Sequence, residues 1–231
     1  MVVTLIMRKI IVAIDGHAAT GKSSQSKRLA DALGYTYIDT GAMYRAVTYF
    51  ALKQNSEGRI DPKRLLADLD QIKIQFRYTL KGQQTFLNGK EISKAIREAD
   101  VTAQVSQVAK LPEVRSFLLI QQQAMGVNQG IVMDGRDIGT VVFPEAECKF
   151  FLTARPEIRA KRRHLEQLEQ GNKQTFESVL ANLKERDYLD SNRTTSPMVK
   201  AEDAIEIDVS DASIDEVYEI LWSHISEKIA L

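Results

Sequence analysis

Gly16-His17-Ala18-Ala19-Thr20-Gly21-Lys22-Ser23 fits the pattern G-x-x-x-x-G-K-[ST]. In that pattern consecutive backbone N–H groups cradle phosphates, the lysine neutralises their charge and the serine hydroxyl can ligate Mg²⁺. Ser24 extends the candidate phosphate-binding segment by one residue. Typical residue frequencies make a chance match in a chain this long about a 1% event. The alternative is a plain glycine turn, and the flanking sequence argues against it. Ile10-Ile11-Val12-Ala13-Ile14 is a short β-branched run ended by Gly16, and Ser23 to Leu33 carries Leu29, Ala30 and Leu33 at helical spacing before Gly34. Strand, glycine loop and helix therefore follow in the order a phosphate cradle needs, with the positive end of the helix aimed at the anion.

A cradled phosphate does not by itself define a reaction, so the other charged clusters matter. Arg155, Arg159, Lys161, Arg162 and Arg163 fall in one short stretch, with Arg186 and Arg193 following. Arginine is planar and always charged, which suits clamping phosphoryl oxygens. Phosphoryl transfer needs several converging cations, and a closing arginine-bearing lid would also exclude water. The competing reading is a solvated helix face with Glu157, Glu166 and Glu169 as partners. A second cluster, Asp39-Thr40-Gly41-Ala42-Met43-Tyr44-Arg45, opens a helix just after a strand, where Thr40 can cap the helix and meet an anion. A third, Asp134-Gly135-Arg136-Asp137-Ile138-Gly139-Thr140, reads as a substrate loop or as a turn closed by an internal Arg–Asp pair.

These clusters need a frame. The pattern predicts a strand over 35–39 and a helix over 41–53 with Met43, Val47, Phe50 and Ala51 as its stripe. Residues 61–69 look helical. Residues 73–78 and 84–87 alternate polar and apolar, with turns at Lys81-Gly82 and Asn88-Gly89, so an antiparallel insertion is expected. Two helices follow, the second from Pro112 to near Gly126. Strands are then expected at 131–133, 149–152 and 204–209, with helices over 156–170 and 175–189 between the last two. Ser213 and Glu216 form a capping box opening a terminal helix, with Val217, Ile220, Leu221, Ile225 and Ile229 as its apolar face. Five apolar strands alternating with helices predict an α/β fold with a parallel sheet. Its ligand crevice lies beyond the carboxyl ends of the strands, where Asp15, Asp39 and Asp134 all fall.

Composition limits the alternatives. Thirty-one Lys+Arg balance 31 Asp+Glu among 231 residues, and aromatic residues make up 7%. With neither net positive charge nor stacking residues in quantity, no nucleic-acid partner is expected. The single cysteine, Cys148, excludes an internal disulfide, and the separated His17, His164 and His224 have no metal-ligand spacing. A reducing, cytoplasmic compartment is expected. The apolar start, Met1 to Met7, is too short for a membrane span, and no membrane association is expected.

Taken together, the chain resembles the bacterial cytidylate kinases, members of the nucleoside monophosphate kinases, from about Lys9 to the terminal helix. The matching segments are the phosphate loop, the Asp39–Arg45 segment, Ser106-Gln107-Val108-Ala109 with Pro112 and Arg115, and Asp134-Gly135-Arg136-Asp137. Lys184-Glu185-Arg186-Asp187 and Asp190-Ser191-Asn192-Arg193 complete the set. His17 and Ala19 stand where the family often has Pro and Gly, and Leu189 and Ser191 where some members have arginines.

The resemblance implies transfer of the γ-phosphoryl group of ATP to CMP or dCMP by a monomer using Mg²⁺. It implies ATP binding by Gly16, His17, Ala18, Ala19, Thr20, Gly21, Lys22, Ser23 and Ser24, with Ser23 toward the metal, and catalytic cations at Lys22, Arg136 and Arg159. Thr40, Arg45 and Arg136 would then surround the acceptor phosphate, Tyr44 would be a further substrate-binding residue, Arg186 and Asp190 would serve the sugar, and Ser106, Arg115, Asp137 and Arg193 would meet the cytosine. The implied fold is a P-loop kinase with a five-stranded parallel sheet. Its core would span 8–60 and 130–231 with a short lid at about 155–173, and a monophosphate-binding insert would span 61–129.

Two other readings remain. A P-loop kinase for UMP, AMP or a small hydroxyl metabolite would differ in only a few pocket contacts. A nucleotide-dependent switch is disfavoured, because Asn172-Lys173 continues to Gln174-Thr175 and so lacks the guanine-reading N-K-x-D. Nor does an apolar strand end in Asp-Glu, since Met133-Asp134 continues to Gly135.

Overall fold

The computed structural model of the protein describes residues 8–54, 58–79, 82–169, 171 and 173–230. Two compact units emerge, one of Met1–Ile38 with Gly126–Leu231 and the other of Asp39–Met125. The second begins at Asp39, ahead of the residue 61 expected for an insert, and so takes in the whole helix that opens with Thr40.

The first unit is built on the strands that the apolar runs predict. In chain order its elements begin with β1 (Ile11–Gly16), α1 (Lys22–Leu33) and β2 (Thr36–Asp39, whose last residue opens the second unit). The second unit then supplies α2 (Thr40–Lys53), α3 (Pro62–Ala67), β3 (Ile74–Thr79), β4 (Gly82–Leu87), β5 (Lys90–Glu91), α4 (Ala99–Val108) and α5 (Pro112–Met125). The first unit resumes with β6 (Ile131–Asp134), β7 (Cys148–Thr153), α6 (Pro156–Glu169), α7 (Phe176–Ser191), β8 (Ile205–Asp208) and α8 (Ile214–Ile229).

Five strands form one parallel sheet in the order β2-β6-β1-β7-β8. β1 is therefore central, with Val12 opposite Val132 on one side and Cys148 on the other. Its residues Val12, Ala13 and Ile14 are fully buried, as a strand covered on both faces requires. Val12 and Ile14 join Leu29, Val132, Phe150, Leu152, Val217, Leu221 and Ile225 in one core. The capping box at Ser213 and Glu216 forms as expected. Ile220, expected on the apolar face of α8, is instead 40% exposed, because the buried stripe follows Val217, Leu221, Ile225 and Ile229.

The second unit holds an antiparallel sheet, β3-β4-β5. Asn88 and Gly89 both have positive φ (50° and 80°), the requirement of the tight turn that joins β4 to β5. The Lys81-Gly82 turn involves Lys81, which lies outside the described residues. A separate core of Met43, Val47, Leu65, Ile74, Leu87, Ile96, Val114 and Leu118 packs the sheet against its helices. Among the described residues no helix is long and apolar enough to cross a membrane.

Where β1 turns into the loop, Gly16 has φ of 136°, and a Cβ there would lie 2.1 Å from the Leu152 carbonyl oxygen of β7. Only glycine allows both the turn and the close approach. Gly16→Ala is expected to destabilise the protein by about 3 kcal/mol, read as a lowered urea midpoint with unchanged slope.

Candidate active site

Everything the phosphate cradle needs is contributed within the first unit. Gly21, with φ of 84°, precedes α1, and its carbonyl accepts the Gln25 N–H at 3.1 Å. Lys22 is the first helical residue and is 5% exposed. Its ammonium donates to the His17 carbonyl and to Thr20 Oγ1 at 3.4 Å, while Thr20 Oγ1 donates to the same carbonyl at 3.0 Å. The loop thus ties its own lysine across its mouth. Burial, and then repulsion from Arg136, holds the Lys22 pKa well below the usual lysine range. An anion brought to this ammonium would relieve both effects. Ala19 has φ of 60°, a left-handed conformation that costs a non-glycine residue about 1 kcal/mol.

Ser23 Oγ donates to Asp134 Oδ2 at 2.9 Å, and the Tyr37 hydroxyl donates to Asp134 Oδ1 at 2.7 Å. These three residues come from the start of α1, the end of β6 and the middle of β2, brought together because β2, β6 and β1 are neighbours in the sheet. A hydroxyl beside a buried carboxylate at the mouth of a phosphate loop is a hard oxygen pair of the kind that holds Mg²⁺ together with phosphate oxygens. No local spacing pairs Ser23 with Asp134, although its position at a strand end marks Asp134 as a site candidate. Ser24 is exposed in the first turn of α1.

The basic helix α6 divides its arginines among different tasks. Arg159, 2% exposed, pairs with Asp187 of α7 at 2.7 Å and donates to the Ala18 carbonyl of the phosphate loop at 3.4 Å. Arg155 instead pairs with the exposed Asp211, Arg162 donates to the Val209 carbonyl, and Arg163 pairs with Glu166. Among the described residues Arg159 is the one of these four that bonds to the loop; Arg155, just ahead of α6, pairs with Asp211, and Arg163 meets the expected Glu166. His17 packs its ring edge-on against Phe151, with centroids 6.1 Å apart. Burial, together with nearby cations led by Arg159, lowers its pKa, Asp187 opposing them.

Two local pairs from distant segments, Arg136 with Asp137 and Asp190 with Arg193, meet at the end of α7 and the loop after β6. Arg136 Nε donates to Asp190 Oδ2 at 3.0 Å, Arg193 lies 3.8 Å from Asp190 Oδ1, and Arg193 lies 3.5 Å from Asp137. Asp137, Asp190 and Arg193 are all nearly buried. Burial alone would raise the Asp190 pKa, but Arg136, Arg186 and Arg193 together hold it below the usual carboxylate range. Arg186 sits close enough to this group that burial, then Arg136, push its pKa down to about 10. Its Nε has no hydrogen-bond partner among the described residues. This is an arrangement with unspent positive charge, which an anionic ligand would stabilise.

The second unit holds the remaining expected residues, and Tyr44 and Arg115 meet there. Asp39, not Thr40, caps α2: its Oδ1 accepts the Ala42 N–H at 2.9 Å, and Arg97 holds its other oxygen at 3.3 Å. Thr40 becomes the first helical residue and is buried. Asp39 wins because its carboxylate, still in extended backbone, reaches the open N–H groups of the first turn. Arg45 donates to Thr102 Oγ1 at 2.8 Å and to the Ile96 carbonyl at 3.3 Å. Arg115, 5% exposed, lies 5.3 Å from the Tyr44 ring centroid and donates to the Ala109 carbonyl. Ser106 stands half-buried on α4.

The family model for cytidylate kinase matches residues 12–227. The chain belongs to that family. Curated cytidylate kinases agree along nearly the whole length. That of Flavobacterium psychrophilum is 48% identical over 93% of this chain and 97% of its own. Those of Parabacteroides distasonis and Anoxybacillus flavithermus are 50% and 48% identical, over 91% and 96% of this chain and 93% and 98% of theirs. Among solved structures, an uncharacterized protein from Eubacterium ventriosum matches with a TM-score of 0.50 and 13% identity over 95% of this chain and 99% of that one, a likeness of fold.

A further carboxylate lies beside the phosphate loop at the end of β1. Asp15, 4% exposed, accepts the N–H groups of Ile138 and Gly139 at 2.8 and 2.7 Å. Burial outweighs those two hydrogen bonds and raises its pKa to about 6. The folded chain therefore holds this proton to higher pH than the unfolded chain, whose value is 3.8. The contribution to stability is complete below the unfolded value and is lost as pH rises through the folded one, by about 3 kcal/mol. Urea unfolding at a series of pH values should show that loss between about pH 4 and 7, and Asp15→Asn should lack it.

Proposed function

We propose that the protein transfers the γ-phosphoryl group of ATP to CMP and dCMP, giving ADP and the corresponding diphosphate. Membership of the cytidylate kinase family supports the acceptor class. The observation that carries the reading to particular residues is the Arg136–Asp190–Arg193–Asp137 network, held in the same unit as the phosphate loop. A hydrolytic switch needs a positioned water and has no use for such a second cluster, whereas a transferase needs cations and a base-reading carboxylate on the acceptor side.

The reaction needs no dedicated general base, because the acceptor phosphate oxygen is already an anion. It attacks the γ-phosphorus in line as the bond to the β–γ bridging oxygen breaks, and the electron pair leaves with ADP. Residues Gly16–Ser24 hold the ATP phosphates, and Lys22, Arg136 and Arg159 meet the charge that spreads over the transferring group. Ser23 and Asp134 would hold Mg²⁺, whose contribution when bound is to neutralise phosphate oxygens. From the family resemblance, Thr40, Arg45 and Arg136 serve the acceptor phosphate, Tyr44 is a further substrate-binding residue, and Arg186 and Asp190 serve the sugar. Ser106, Arg115, Asp137 and Arg193 take the cytosine, where a carboxylate accepts from the exocyclic amine that uracil lacks. The unit Asp39–Met125, which takes in most of the insert expected over 61–129, serves acceptor binding, and residues of about 155–173 act as a lid. A cytoplasmic monomer without nucleic-acid or membrane partners fits this role.

A coupled assay of ADP release with CMP, dCMP, UMP, AMP, GMP or no acceptor tests the function. Turnover well above the rest is expected for CMP and dCMP, and acceptor-independent hydrolysis would overturn the transferase reading. Lys22→Ala should lower kcat by a factor of 100 or more while the Kd for CMP stays within about threefold. Asp137→Asn should narrow the kcat/KM preference for CMP over UMP by at least tenfold; an unchanged ratio would remove Asp137 from base reading.

A further inference from the structure

The loop that carries Arg136 and Asp137 hangs from the last residues of β1. The Gly135 N–H donates to the Ile14 carbonyl at 3.0 Å, and one residue further along β1 the Asp15 carboxylate takes the N–H groups of Ile138 and Gly139, one on each oxygen. Those two amides open a short π-helical turn, Ile138–Val142, in which the Val141, Val142 and Phe143 N–H groups bond back to the Asp137 and Ile138 carbonyls. The first N–H groups of any helical turn have no partner within it, and a side-chain acceptor must be found for them when they are buried. Asp15 supplies that acceptor as a two-pronged fork, which fixes the orientation of the turn as well as its position.

The packing around the fork is built to admit it. A Cβ on Gly139 would lie 3.2 Å from Lys149 Cδ and 3.5 Å from Asp15 Oδ2, so glycine lets β1, β7 and the turn close together. The Lys149 ammonium is itself held by Asp203 and the Pro144 carbonyl, leaving the turn's amides to Asp15. The next residue after Asp15 is Gly16, the start of the phosphate loop. A buried carboxylate here is a net burden on folding at neutral pH, so its presence calls for a gain elsewhere.

We propose that Asp15 is a positioning residue that holds the Arg136–Asp137 loop in register with the phosphate loop, and so governs binding and selection of the acceptor more than binding of ATP. This rests on the reading that Arg136 and Asp137 serve the acceptor. Asp15→Asn keeps the shape and one accepting oxygen but replaces the other with an amide that cannot accept. It should raise KM for CMP about tenfold and narrow the preference for CMP over UMP, with KM for ATP within twofold. Equal rises for both nucleotides, or no change for CMP, would overturn the inference.

Asp137→Asn, assayed alongside, separates the two levels. If it narrows the CMP:UMP ratio while Asp15→Asn leaves acceptor parameters alone, the acceptor reading stands and the positioning role falls. If it leaves the ratio unchanged, the acceptor reading falls and takes the inference with it. Amide hydrogen exchange in the unsubstituted protein gives a test that needs no variant. The Ile138 and Gly139 amides should exchange at least a hundredfold more slowly than free amides, and rapid exchange at either would overturn the fork.

Discussion

A lysine ammonium removed from water and bound only by neutral oxygens is the constraint around which the first unit is organised. Lys22 has its desolvation offset in part by the His17 carbonyl and the Thr20 hydroxyl, and its pKa stays depressed. Such a charge persists only if the surrounding fold holds it there, and β1 does so by lying between β6 and β7. The glycine that ends β1 lies so close to the Leu152 carbonyl that no side chain would fit between them, which lets the loop start tight against β7. The helix that follows then presents its unbonded N–H groups beside the lysine.

The remaining charges follow from that arrangement. Arg136, Arg159, Arg186 and Arg193 cluster in the same unit and are held apart by Asp187, Asp190 and Asp137. These carboxylates offset the repulsion within a crowd of cations, while burial, and then Arg136, lower the pKa of Arg186. The site is therefore preorganised for negative charge: the polar groups are fixed by folding and need little rearrangement when phosphates arrive.

Much of this was legible in sequence, and for reasons that can be named. The phosphate loop follows from its spacing, the sheet from short β-branched runs, and α8 from its capping box, all of which are local signals. What was not legible depends on contacts across long separations. Ser23 and Asp134 are 111 residues apart, and Tyr37 and Asp134 are 97 apart, so their meeting is decided by strand order. The sorting of the α6 arginines depends on which face of the helix meets α7, and charge alone does not reveal that phase. Asp39 and Thr40 are both good capping residues, and only the point where the strand leaves extended geometry decides between them. The π-helical turn after Asp137 has no sequence signature beyond its glycines.

The position of β8 at one margin of the parallel sheet has a consequence for the behaviour of the protein in solution. A margin strand leaves one row of backbone donors and acceptors open, a template on which a strand from another chain can add. Here Glu206 and Asp208 project from that strand into solvent, with Ile207 its one buried side chain. Two like charges on so short a segment would be forced against their own copies in any edge-to-edge stack. The same strand that completes the frame of the site thus carries a charge pattern that disfavours strand addition at this edge.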